Sequence, residues 1–139
     1  MSTDCIFCKI IRGEIPAQKV YEDASSFAFL DIHPLADGHT MVIPKAHYEK
    51  LEDVPSAEAG RIFEAVRKVT EAVQKALNTP ATTIGINNGR AAGQVVPHLH
   101  IHIIPRTSGD GGGTIHSILH GSSKHSLVEV QQRITAAIK

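Results

Sequence analysis

Residues 98–104 read His-Leu-His-Ile-His-Ile-Ile, so histidine alternates with aliphatic side chains. Successive side chains on a β-strand point to opposite faces. A strand over this run puts His98, His100 and His102 on one face. Leu99, Ile101 and Ile103 then point into a core. Imidazole titrates near neutral pH, ligates metals and attacks electrophiles. Three such rings in register do little for stability, and two chemistries fit them. One is a metal site, because His-x-His on a strand can chelate zinc or iron. The other is nucleophilic catalysis at phosphorus, with one ring attacking and its neighbours handling charge. The flanks favour phosphorus. Asn87 through Gly93 offers small residues and backbone N–H groups for phosphate oxygens, and Gly93-Gln94-Val95-Val96 leads into the run. No Asp or Glu lies close in sequence to complete a facial metal triad.

The elements that must position this run are legible by periodicity. Ile6–Arg12 reads as a short helix stopped by Gly13. Lys19–Tyr21, Ser26–Ile32 and Thr40–Pro44 read as strands of an antiparallel meander, with residues 22–25 as a turn. Ser56–Asn78 is the clearest helix. Ser56 is its candidate N-cap, and Ile62, Phe63, Val66, Val69, Val73, Ala76 and Leu77 form its apolar stripe. Thr82–Asn87 predicts a strand, and the histidine strand is expected to stop at Pro105. Residues 108–113 are glycine-rich and read as a mobile loop. Ser126 and Glu129 predict a capping box for a C-terminal helix with Leu127, Val130, Ile134 and Ile138 as its apolar positions. Strands on both sides of a central helix, without β-α-β alternation, predict an α+β domain with a mainly antiparallel sheet of about five strands.

At 139 residues, 42% hydrophobic and 20% charged, the chain suits a single globular domain. Formal net charge is +0, and no basic patch suggests a nucleic-acid partner. No apolar run reaches the length of a membrane span. Met1–Asp4 is polar without a signal-peptide pattern, which predicts a cytoplasmic protein. In such a reducing compartment the Cys5-x-x-Cys8 pair reads as metal-binding or redox-active rather than as a disulfide.

The chain resembles the histidine triad (HIT) family of nucleotide hydrolases and transferases, on its Hint-type bacterial branch. The resemblance rests on the histidine run and on Phe7, Ile10 and Ile11, Glu14-Ile15-Pro16, Phe29-Leu30-Asp31-Ile32, Gly38-His39, Val42-Ile43-Pro44-Lys45, Ile104-Pro105-Arg106 and Gly109-Asp110. It covers residues 5–110 and leaves 111–139 as a tail. It implies the HIT-like fold and a homodimer with a continuous sheet, for which the Ser56–Asn78 helix region is a plausible interface. It implies attack by His100 on the α-phosphorus of a nucleoside phosphoramidate, dinucleoside polyphosphate or adenylylated compound, through a nucleotidyl-histidine. His102 would contact phosphate or assist the leaving group, and His39 would support the nucleophile. Asn87, Gln94 and the backbone of Gly93, Val95 and Val96 would bind phosphate. Asp31 would bind ribose. Ile6, Phe7, Ile10, Phe29, Leu30 and Ile32 would hold a purine base. One position departs: Val95 stands where Hint-type members usually carry Ser or Thr, so a hydroxyl donor is missing and leaving-group preference is expected to differ. A nucleotide-sensing or scaffold module with negligible turnover is the alternative. A histidine-ligated metallohydrolase is a third reading.

By spacing alone, Cys5 and Cys8 need two more ligands for a tetrahedral site, with His33, His39, His47 and His98 as candidates. The resemblance selects Cys5, Cys8, His47 and His98, implying one structural zinc and leaving His100 and His102 for catalysis. His33, His116, His120 and His125 receive no role.

Overall fold

A computed structural model describes residues 4–139. Helix α1 (Ile6–Ile11) precedes three strands, β1 (Lys19–Glu22), β2 (Ser26–Leu30) and β3 (Thr40–Pro44). Helix α2 (Ser56–Leu77) follows, then β4 (Ala81–Gly85), β5 (Ile101–Arg106) and helix α3 (Leu127–Ala137). The five strands form one sheet in the order β1-β2-β3-β5-β4, and every neighbouring pair is antiparallel. This is the α+β architecture that the strand and helix spacing implies.

Alternation sorts the sheet into two faces. Ala28, Val42, Ile101 and Ile103 pack against Ile62, Ala65, Val66, Val69 and Val73 of α2. On the opposite face Phe27, Phe29, Met41 and Ile43 pack with Cys5, Phe7, Cys8 and Ile10 at α1. The even-numbered residues of β5 share that second face, so α2 buries the back of the strand and leaves the histidines beside α1. Ile101 is fully buried at the centre of the α2 layer. Truncating such a side chain removes its transfer energy and leaves a cavity. Ile101→Ala is therefore expected to cost about 2–5 kcal/mol, read from urea unfolding midpoints. A change below about 1 kcal/mol would show that α2 does not clamp this strand.

Several boundaries differ from the sequence reading, each for a physical reason. The ladder on β5 begins at Ile101, paired with Val42, so His98, Leu99 and His100 lie outside the strand. Leu99 N–H instead donates to the Tyr48 carbonyl at 2.7 Å. Pro105 does not end the strand; it pairs with Thr82 of β4. The β3 ladder has already finished at Ile103, so no donor is needed from Pro105 on that side. Strand β4 ends at Gly85, which leaves Asn87 in a loop, and β2 ends at Leu30, which leaves Asp31 and Ile32 beyond it. Pro55, not Ser56, occupies the N-cap of α2. Phe63 and Leu77 of the expected stripe are 42% and 40% exposed. Ser126 does cap α3, its hydroxyl accepting from Glu129 N–H. The glycine-rich segment is tied down: Asp110 takes two bonds from the Arg106 guanidinium, which also donates to Thr83 and the Gly113 carbonyl. No helix among the described residues is long and apolar enough to cross a membrane.

Candidate active site and metal centre

The three histidines of the run have three different environments. His98 is fully buried. Its Nε2–H donates to the Pro44 carbonyl at 2.9 Å, which leaves Nδ1 with a lone pair. That Nδ1 lies 3.4 Å from Cys5 Sγ, 3.6 Å from Cys8 Sγ and 3.2 Å from His47 Nδ1. Cys8 Sγ is 3.4 Å from His47 Nδ1. Burial pushes His98 down to about 4, so the ring is neutral and open to a cation. Tetrahedral Zn²⁺, with bonds of about 2.3 Å to sulfur and about 2.0–2.1 Å to nitrogen, spaces its donors by about 3.3–3.8 Å. The four residues fit that ion by donor chemistry and by spacing. The carbonyl on the far nitrogen of His98 is the partner a metal-bound imidazole normally has.

His100 is nearly buried, and its Nδ1–H donates to the His98 carbonyl at 2.7 Å. The proton is thereby fixed on Nδ1, and Nε2 keeps its lone pair. Phe7 stands edge-on to the ring with centroids 5.2 Å apart, and His102 is its other ring neighbour at 5.1 Å. The unprotonated nitrogen is thus set by a backbone carbonyl and steadied by an aromatic wall.

His102 meets His39 across the β3–β5 pair, with Nδ1 2.9 Å from His39 Nε2. Leu35 N–H donates to His39 Nδ1 at 3.1 Å, so His39 carries its proton on Nε2 and donates it to His102. His102 must then hold its own proton on Nε2. Asp31 Oδ2 lies 3.5 Å from His39 Nε2 and 3.9 Å from His102 Nδ1. Asp31, His39 and His102 have the spacing of a cation site. The tautomer argues against one, because a metal on His39 Nε2 would displace the only proton of a neutral ring. The geometry is that of a hydrogen-bond relay.

Burial lowers His39, partly offset by Asp31. Burial, with like charge from His100 and His39, lowers His102 to about 4. Both rings are neutral when folded at pH 7. Between pH 6.5 and about 4 the unfolded chain binds a proton at His102 that the folded chain refuses. Stability is present above that window and falls as pH drops through it. The loss attributable to His102 is expected to reach about 3 kcal/mol. His102→Gln should flatten the slope of unfolding free energy against pH in this window, and an unchanged slope would remove His102 as its source.

The other candidate residues are divided. Phe7, Ile10 and Phe29 are buried, with Phe7 against His100, whereas Ile6, Leu30 and Ile32 are exposed at 46%, 37% and 79%. Asn87, Gly93 and Val95 are exposed, Val96 is half-buried, and Gln94 is buried. The Gln94 carboxamide is occupied within its loop: it accepts from Gly89 N–H and donates to the Glu49 and Val96 carbonyls. Of the remaining histidines, His33, His116, His120 and His125 are exposed. Sequence reading missed the backbone groups that assign the tautomers, the carbonyls of Pro44 and His98 and the N–H of Leu35. No side-chain pattern marks them.

An open antiparallel sheet with a buried imidazole anchor, an oriented imidazole and a paired-histidine relay on one face defines a histidine-triad protein. The chain belongs to that family: the HIT domain model matches residues 12–109. It is 38% identical over 135 residues to an adenosine 5'-monophosphoramidase of Schizosaccharomyces pombe, spanning 97% of this chain and 98% of that protein. A HIT family protein of Bacillus subtilis superposes with a TM-score of 0.83 at 36% identity, covering 98% of both chains. A Zn-bound histidine triad family protein of Mycobacterium smegmatis superposes with a TM-score of 0.75 at 38% identity, covering 80% of this chain and 81% of that one.

Proposed function

We propose that this protein is a nucleotide hydrolase or transferase that works at the α-phosphorus of a nucleoside phosphoramidate, dinucleoside polyphosphate or related adenylylated compound. The observation that carries the reading is the tautomer of His100, whose Nδ1–H is held by the His98 carbonyl so that Nε2 presents a lone pair. Nε2 attacks phosphorus, the bond to the leaving group breaks, and a nucleotidyl-histidine forms. Water then attacks the same phosphorus and the P–N bond breaks, which regenerates His100. Two easier displacements replace one difficult one. The His102 Nε2–H donates to a phosphate oxygen or to the leaving atom, and the His39 relay holds it in that tautomer. Backbone N–H groups of Gly93, Val95 and Val96, with Asn87, stabilise the charge on the equatorial oxygens. Gln94 shapes that loop from within. Asp31 accepts from the ribose hydroxyls. Ile6, Phe7, Ile10, Phe29, Leu30 and Ile32 line the slot for a purine base.

Cys5, Cys8, His47 and His98 would hold a structural zinc, which when bound ties the N-terminal segment to the start of the histidine run. The whole chain works as one domain, in the cytoplasm, as a homodimer joined through the α2 region into a continuous sheet. Sedimentation of the purified protein tests the dimer. Rapid quenching with adenosine 5'-phosphoramidate tests the chemistry. It should trap an acid-labile, base-stable nucleotidyl-protein that appears with the first turnover. Steady turnover without any adduct at saturating substrate and fast mixing would overturn the covalent route.

Val95 favours a second reading, a nucleotide sensor with negligible turnover, because the residue is 89% exposed and offers no hydroxyl. That reading predicts nucleotide affinity without a burst of leaving group. In the hydrolase reading, Val95→Ser restores one donor, and a hydrogen bond contributes about 1 kcal/mol. kcat/KM for the phosphoramidate is therefore expected to rise about fivefold. No gain would place the leaving group away from residue 95.

A further inference from the structure

We propose that Cys5, Cys8 and His47 are positioning residues for His100: when they hold a metal with His98, they fix the backbone carbonyl that keeps the His100 proton on Nδ1. The catalytic consequence rests on the reading of His100 as nucleophile, whereas the linkage itself does not.

The argument starts from where the sheet ends. The β3–β5 ladder reaches only as far as Ile101. The residues carrying the orienting carbonyl and the nucleophile therefore sit beyond its last rung. Something else must hold them. The backbone supplies two bonds, His98 N–H to the Val96 carbonyl at 2.8 Å and Leu99 N–H to the Tyr48 carbonyl at 2.7 Å. The rest of the tether is the buried Leu99 side chain, on one side, and the His98 side chain, on the other. The His98 Nε2–H is fixed on Pro44 at 2.9 Å, and its Nδ1 faces the two sulfurs and His47. The His98 carbonyl, on the same residue, accepts from His100 Nδ1 at 2.7 Å.

Two side chains two residues apart are therefore linked through one carbonyl. The His98 carbonyl shares a peptide plane with Leu99 N–H, so releasing the ring leaves that plane on the Tyr48 bond. The backbone at residue 98 is then freer to shift, and a shifted carbonyl no longer holds the His100 proton on Nδ1. The other tautomer, with Nε2–H, then becomes populated, and that tautomer has no lone pair to offer phosphorus. Cys8 reaches this path from 90 positions away and Cys5 from 93. Outer partners of this kind commonly change activity by about 10-fold to 100-fold without touching substrate.

The test compares zinc-loaded and chelator-stripped wild type with His47→Gln and Cys8→Ser. His47 is half-buried at the rim, so His47→Gln removes a ligand without opening the core, and a cooperative melt confirms each fold. The first readout is the ¹⁵N spectrum of the His100 ring. Loaded wild type should show one protonated Nδ1 with slow hydrogen exchange, and the stripped protein and both variants should show mixed tautomers and exchange at least about 10-fold faster. The second readout is steady-state kinetics, where kcat should fall about 10-fold to 100-fold with KM nearly constant. An unchanged His100 spectrum in the stripped protein and in folded His47→Gln would overturn the linkage, whatever happens to the rate. A changed spectrum with unchanged kcat would overturn its catalytic role. If loaded wild type turns over no nucleotide, the hydrolase reading falls and the spectrum still decides the linkage.

Discussion

Turnover by His100→Asn is expected to fall by about 10⁴-fold or more while affinity for AMP stays within about threefold of wild type. The magnitude is that of losing a covalent nucleophile, where the remaining binding and electrostatic groups sustain only residual catalysis. The selectivity follows from geometry. His100 contributes an electron pair on Nε2, whereas the candidate ligand contacts come from Asp31, the apolar slot and the loop at 93–96. Asn approximates the ring's polar edge near Nδ1, and its N–H can still meet the His98 carbonyl that His100 meets at 2.7 Å. Calorimetry with AMP and single-turnover release of the leaving group separate the two terms. Retained turnover would reject His100 as nucleophile. A parallel loss of AMP affinity would recast it as a binding residue.

His102→Asn provides the contrast. Its ring receives the His39 Nε2–H at 2.9 Å and, in the proposed reaction, acts on charge that develops at phosphate or the leaving atom. Positioned groups of this kind contribute about 10²–10⁴-fold. The ordering of the two losses, His100 above His102, distinguishes attack by the first from assistance by the second.

How much of this was legible beforehand depends on the range of the interaction. The alternation at 98–104 placed Leu99, Ile101 and Ile103 in the core, and all three are buried. It also treated the three imidazoles as one row on a strand. That equivalence fails because the fate of each ring is decided by a distant or backbone partner. His98 is claimed by Cys5 and Cys8, His100 by a carbonyl two residues back, and His102 by His39 on β3. Side-chain periodicity reports which way a residue points and is silent on which carbonyl it meets. The start of β5 was misplaced for the same reason, since an extended backbone paired to Tyr48 looks in sequence like one paired to β3. The α3 cap was readable because Ser126 and Glu129 are three residues apart. What α3 packs against was not, since Leu127, Ile134 and Ile138 remain 81%, 59% and 73% exposed within one chain. An apolar face of this kind accords with the homodimer reading.

Removing bound metal is expected to lower the unfolding free energy by about 4 kcal/mol at a free zinc concentration near 1,000 times its dissociation constant. Zinc content should fall from one equivalent to none on chelation, and both thiols should then react with a thiol reagent. The reasoning begins with the donors. Two sulfurs and two imidazole nitrogens lie within 4.8 Å of one another, and three of the four residues are buried. Without a cation, the His98 Nδ1 and the two sulfurs share that small volume through weak thiol–imidazole contacts alone. With one, each lone pair has a partner. The bridge also joins segments far apart in sequence, so an ion that binds only the folded arrangement is linked directly to folding. The comparison that isolates the effect is Cys8→Ser, which should melt like stripped wild type and gain nothing from added zinc. Protein purified without chelator that carries no stoichiometric zinc, with both thiols freely titratable and the same melt with and without the ion, would reduce the four residues to a packed cluster. In that event the orientation of His98 would rest on the Pro44 carbonyl and the neighbouring backbone bonds alone.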